Sequence, residues 1–268
     1  MNQITENLIV ATVEKFIVNV ESLTNKATRL IAMMDQLPGN LGRYIGQYSA
    51  NPANKSTTIK DLIGAGSKAR QTVLSACDTL LADAKAGNYT NIPADIQAAV
   101  LALQSANPAP NQAIIVLLEL QTLSVYGSEL TTSLQSINNA LINLFRRTAV
   151  SAAASTTSKY KPISQEDAAN MRQTICNALD VEIQRAGDNG EDESYLALRA
   201  LRVAVVQDLT SRGASLSSNQ TVVTPSSVPL LVTAQRLYQD KGRYGQLLNE
   251  ANPIHPAFPP TKFTALLS

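Results

Sequence analysis

Residues 5–36 set apolar side chains at steps of three and four: Leu8, Ile9, Val13, Phe16, Ile17, Val20, Leu23, Ala27, Leu30, Ile31 and Met34. That period predicts one long helix. Val10, Val18 and Met33 widen its apolar face beyond what a single neighbouring helix covers, so the helix needs burial on two sides, inside a bundle or between subunits. Leu8, Val13, Phe16 and Val20 are therefore candidate protein-interaction positions. Composition agrees with helix-on-helix packing. The chain is 44% hydrophobic but only 4% aromatic, without Trp, which suits helices that approach closely through small side chains.

The same reading continues along the 268 residues. Pro38-Gly39-Asn40 ends the first helix, and a polar loop runs to about Ser56. A second helix is predicted over 58–86, with Gly64 and Gly66 weakening its start and Gly87-Asn88 as C-terminal cap. A shorter one runs from Pro93 to Ser105. After Asn107-Pro108-Ala109-Pro110 a long run is predicted over 112–155, with a bend at Gly127 and with Leu130, Leu134, Ile137, Leu141 and Leu144 at helical spacing. Ser164-Gln165-Glu166-Asp167 resembles a capping box and opens a helix over 165–186. A turn at Gly187-Asp188-Asn189-Gly190 leads to a helix over 193–212 ending at Gly213. This pair reads as an αα-hairpin sealed by Leu179, Ile183, Leu198, Leu201, Val205 and Leu209.

The last residues change character. Thr221-Val222-Val223 reads as a strand, 228–238 as a short helix, Asp240-Lys241-Gly242 as a break, and 243–251 as a second helix. Asn252-Pro253 stops it, because proline restricts the residue before it to extended geometry. Pro256, Pro259 and Pro260 hold an extended loop, and 263–267 closes as a strand. The expected organisation is a helical region over 1–155, a hairpin over 156–215 that continues the helical body, and a strand–helix–helix–strand module over 220–268. The fold class is thus mainly α, a multi-helix bundle or stalk followed by a small α+β module.

The module's element order resembles the LysM-like unit of phage and contractile-injection baseplates. The strings Arg236-Leu-Tyr-Gln-Asp240 and Leu248-Asn-Glu-Ala-Asn252-Pro-Ile-His-Pro256 are similar to the C-terminus of the Mu-type bacteriophage tail and DNA-circularisation protein family. Ala140-Leu-Ile-Asn-Leu-Phe-Arg146-Arg147 and the stretch from Tyr195 to Leu216 look like that family's middle segment, so the likeness covers roughly half the chain. Family members usually begin with a β-rich domain, whereas this chain starts in a helix. The resemblance implies a structural, non-enzymatic virion component of a contractile-tail baseplate or hub. Its partners would be hub, tube, wedge or tape-measure subunits in a symmetric multi-copy assembly. Arg236, Tyr238, Tyr244, Leu248, Asn252, His255 and Phe258 are the module's candidate docking residues. A LysM-like module also suggests peptidoglycan binding, through a groove near Leu248, Asn252, Ile254, His255 and Phe258, and the family label suggests DNA-end binding.

Chemistry-bearing constellations are scarce. His255 is the one histidine and has no carboxylate or cysteine beside it in sequence, so triad and zinc chemistry lack their second member. Asp188, Glu191, Asp192 and Glu193 fit a hairpin turn and helix start, where negative charge is favoured. Gly64-Ala65-Gly66-Ser67-Lys68 lacks phosphate-loop spacing. Net charge is +1 with no basic stripe, which argues against a duplex-binding surface. No cofactor or metal is expected, nor any membrane-spanning segment. Cys77 and Cys176 are expected to be buried thiols, and one disulfide between them is the alternative.

Overall fold

The computed structural model describes residues 3–34, 59–107, 109–123 and 132–266. Its helical body comprises α1 (Gln3–Met34), α2 (Ile59–Ala86), α3 (Ile92–Ser105), α4 (Pro110–Glu119), a 3-10 turn (Leu120–Thr122), α5 (Thr132–Thr156), α6 (Gln165–Asp188) and α7 (Asp192–Ala214). Strand β1 (Asn219–Val223), α8 (Leu230–Tyr238), a 3-10 turn (Lys241–Arg243), α9 (Tyr244–Ala251) and β2 (Lys262–Leu266) follow. The architecture is mainly helical with one small antiparallel sheet.

Helix α5 is the hub of the body, touching α1, α3, α4, α6 and α7, while α2 bridges α1 to α3. The core gathers Phe16, Leu80, Ile96, Leu103, Ile114, Leu117, Phe145, Ile175, Leu179 and Leu209. Val13, Phe16 and Val20, expected as partner-facing positions, lie fully buried in this intramolecular core, and Leu8 is half-buried. The main apolar row of α1 is used by the bundle itself, with α2 and α5 on its two sides, whereas Val18, expected to widen that face, is 63% exposed. Ala27, Leu30, Ile31, Met33 and Met34 lie outside the residues whose side chains are described, as do Pro38 to Ser56.

Helix boundaries follow local chemistry. Gly87 (φ 76°) ends α2, with Asn88 N–H donating to the Asp83 carbonyl at 2.9 Å in Schellman fashion. Ser164 Oγ accepts from Asp167 N at 3.0 Å, and the Asp167 carboxylate accepts from Ile163 N (2.9 Å) and Tyr160 OH (2.5 Å). Buried Tyr160 and this reciprocal cap together fix the entry into α6.

Two expectations are corrected. The run over 112–155 is not continuous: α4 ends at Glu119, and Leu123 turns extended (φ −51°, ψ 120°). The buried Arg146 guanidinium donates to the Leu123 carbonyl that this break frees. Gly127 and Leu130 lie outside the described residues. Within α5 the buried row is Asn138, Ile142, Phe145, Ala149 and Ala153, with Leu134, Ile137, Leu141 and Leu144 half-buried on its flanks. Small alanines let α3 and α6 approach, so the larger aliphatic side chains are displaced to the margins. Secondly, Gly213 does not end α7. It is buried within the helix, where a methyl carbon built on it would stand 2.9 Å from Ala168 Cβ.

Gly64 and Gly66 sit in the continuous helix α2. Both cysteines are free and buried. None of the helices is long and apolar enough to cross a membrane among the described residues.

Candidate functional site

The terminal module has its own buried cluster of Leu230, Ala234, Leu247, Leu248, Ala251, Phe263 and Ala265. Strands β1 and β2 pair antiparallel, with Val222 opposite Phe263 and Thr221 opposite Thr264. Phe263 and Ala265 face the helices, and Val222 packs beside them. Gln239, in the left-handed region (φ 54°), ends α8, and the Asp240 carboxylate caps the next turn by accepting from Gly242 N at 2.7 Å. Asn252 ends α9, also left-handed (φ 41°, ψ 50°) rather than extended as its following proline suggests; asparagine tolerates that region.

Glu250 is the polar pin of the module. This buried carboxylate accepts from Leu266 N at 2.7 Å and from Tyr238 OH at 3.3 Å, while Thr264 Oγ1 donates to the Glu250 carbonyl at 3.1 Å. The Arg243 guanidinium lies over the Tyr238 ring, 3.9 Å from its centroid. Burial, and then the Glu250 charge, push the Tyr238 phenol up to about 12. Tyr238 and Tyr244 are half-buried against the module core. These bonds make Tyr238 a framework residue.

The loop from Pro253 to Thr261 carries the exposed apolar groups. Ile254 is 100% exposed and Phe258 75% exposed, between the buried Pro253 and Pro259. His255 Nδ1 accepts from Ala257 N at 3.1 Å, Phe258 N donates to the His255 carbonyl at 3.0 Å, and the two rings lie 5.7 Å apart. His255 therefore shapes its own loop. Leu230 N donates to the Pro256 carbonyl at 2.9 Å and Ser227 Oγ to the Pro259 carbonyl at 2.8 Å, which docks the loop on the start of α8. There Leu231 and Val232 are exposed, and Arg236 lies one turn beyond Val232 on the same exposed stripe.

Among the predicted residues, the structure brings His255 and Phe258 together on one loop. Leu248 is turned into the core and offers no groove surface, while Asn252 is exposed. Nothing in the apolar run from Val228 to Val232 distinguishes the exposed Leu231 and Val232 from the buried Leu230. Basic residues Arg236, Lys241, Arg243 and Lys262 outnumber Asp240 and the buried Glu250 in the module.

The helical body holds two polar clusters. Fully buried Glu182 accepts from Gln121 Nε2 at 3.4 Å and pairs with Arg185. Desolvation, and then the Arg185 charge, lower the Arg146 guanidinium. Arg147 pairs with Glu191 at the α6–α7 turn, and that hydrogen bond holds the Glu191 carboxyl below its ordinary value. The Arg147–Glu191 pair joins α5 to the hairpin, while Glu182 and Arg185 lie one turn apart on α6. A shallow groove of about 500 Å³ separates α1 from the end of α2, with Lys85 3.6 Å from Glu14 across it. No group of three metal-ligating side chains occurs among the described residues.

No protein-family model and no curated protein matches the chain.

Proposed function

We propose that the chain is a structural component of a contractile phage tail, held in the baseplate or hub, whose LysM-like terminal module docks on neighbouring subunits. The helical body supplies a rigid support, and the module supplies the contact. One observation carries this reading: Ile254 and Phe258 stand out on a loop that prolines, the His255 turn and two backbone-directed bonds hold in place. Large apolar side chains that the chain exposes singly need no explanation, but a preordered loop presenting an aliphatic and an aromatic tip has the form of an interface anchor. Ordering before assembly lowers the entropy lost on docking, and repetition around a symmetry axis adds avidity. The sequence likeness at 236–240 and 248–256 falls on this same module.

The test uses purified tail particles. Wild-type chain is expected to co-purify with them, and Ile254→Asp combined with Phe258→Asp is expected to be lost from them while keeping its helical circular dichroism. Tails that lack the wild-type chain, or that keep the double variant, contradict the reading.

A further inference from the structure

We infer that the outer edge of β1, which pairs with no strand among the described residues, pairs with β1 of a second copy of this chain, about a two-fold axis through Thr221. The inference extends the multi-copy assembly proposed above, and its test needs only the purified chain.

The edge follows from the ladder. Thr224 N donates to the Thr261 carbonyl at 2.8 Å, and these two residues stand opposite in the β1–β2 register. Bonded pairs alternate along an antiparallel ladder, so Gln220 and Val222 turn their backbone groups towards β2. Asn219, Thr221 and Val223 then turn theirs outward. Leu266 confirms the alternation on the other strand: its N–H points away from β1 and is taken by Glu250.

The two outer edges of the sheet are treated differently. The β2 edge is closed by the Glu250 side chain and bears Lys262, both of which discourage another strand. Among the described residues the β1 edge has no such guard. No charged residue occurs between Gly213 and Gln235, and β1 contains no proline. Val223 is 70% exposed beside it.

The occupant that fits is β1 itself. Outward-facing positions recur at Asn219, Thr221 and Val223, symmetrically about Thr221. Antiparallel pairing of two copies sets Thr221 opposite Thr221 and Asn219 opposite Val223, each pair exchanging two backbone bonds. Thr–Thr is a favourable cross-strand pair, and the uncharged strand brings no like charges together. A two-fold contact of this kind is self-complementary and closed.

Sedimentation velocity of the full chain up to about 1 mM should detect a reversible dimer. Thr221→Pro deletes the outward N–H and leaves every bond to β2 in place, since Thr221 and Thr264 form a non-bonded pair. It should weaken dimerisation at least about tenfold with circular dichroism unchanged. Thr221→Cys should be joined to a second copy by a short bifunctional thiol reagent, because bonded partners lie about 5.5 Å apart at Cα. Gln235→Cys, exposed on α8, should not be. The cross-link stands even if the proline variant fails to fold. A wild-type chain that stays monomeric, a dimer untouched by Thr221→Pro in a folded variant, or equal cross-linking at 221 and 235 overturns the inference. Loss of the chain from tails would leave it untouched.

Discussion

The ring of Phe16 on α1 lies flat against that of Phe145 on α5, with centroids 4.1 Å apart and planes 5° from parallel, both fully buried. This stack ties the first helix to the hub of the bundle. Phe145→Ala should cost about 3–5 kcal/mol, read by urea denaturation. Phe16→Ala should lie in the same range. The double variant should lose less than the two single losses together, by about 0.5–1.5 kcal/mol, because the rings stabilise each other. Strict additivity would contradict that coupling.

Gly213 and Ala168 set the approach of α7 to α6. Gly213→Ala gains about 1 kcal/mol in helix propensity. The added methyl, 2.9 Å from Ala168 Cβ, should outweigh this with an overpacking loss of about 1–3 kcal/mol. Adding Ala168→Gly should recover part of the loss, and a thermal melt of the three proteins decides it.

Glu250→Ala strips the Leu266 N–H and the Tyr238 hydroxyl of their shared acceptor. The expected loss is about 1–3 kcal/mol, confined to the terminal module. Hydrogen exchange should quicken at Leu266 and along β2 while the amides of α5 and α6 stay protected. Uniform loss of protection across both regions would show that the pin acts on more than its own module.

Arg147 and Glu191 give a pH-dependent contribution. The folded Glu191 carboxyl lies below its ordinary value of 4.5, chiefly through the Arg147 hydrogen bond. A depressed carboxyl stabilises the fold above the unfolded value and loses that stabilisation as pH falls through the folded one. The stability difference between wild type and Arg147→Met should therefore be constant near neutrality and shrink as pH drops below 4.5. Denaturation series at both ends of that range measure it, and a difference that grows on acidification has the wrong sign.

Much of this fold is legible in the sequence where punctuation residues stand. Ser164 with Asp167, Gly87 and Asn252 mark helix ends because each offers a capping oxygen or tolerates a left-handed backbone. The orientation of α5 was not legible. Large aliphatics dominate a periodicity count, yet Ala149 and Ala153 take the centre since only small side chains permit close helix contact. Gly213 reads as a stop for the same reason: nothing local reveals Ala168 beside it. Buried carboxylates such as Glu182 and Glu250 give no sequence signal, because what buries them includes groups from other segments, Gln121 for Glu182 and Leu266 N for Glu250. In the module, His255 and Phe258 are recognisable from the proline spacing, whereas the inward turn of Leu248 depends on its packing in the core formed with β2.

The two free cysteines turn the bundle into its own gauge. Cys77 on α2 and Cys176 on α6 are shut away from solvent, and burial pushes the Cys77 thiol up to about 12. A soluble aromatic disulfide reagent can reach either sulfur only when its helix swings open. The speed of colour release therefore reports how often the protein breathes at two separate places, with no label added and no tryptophan required.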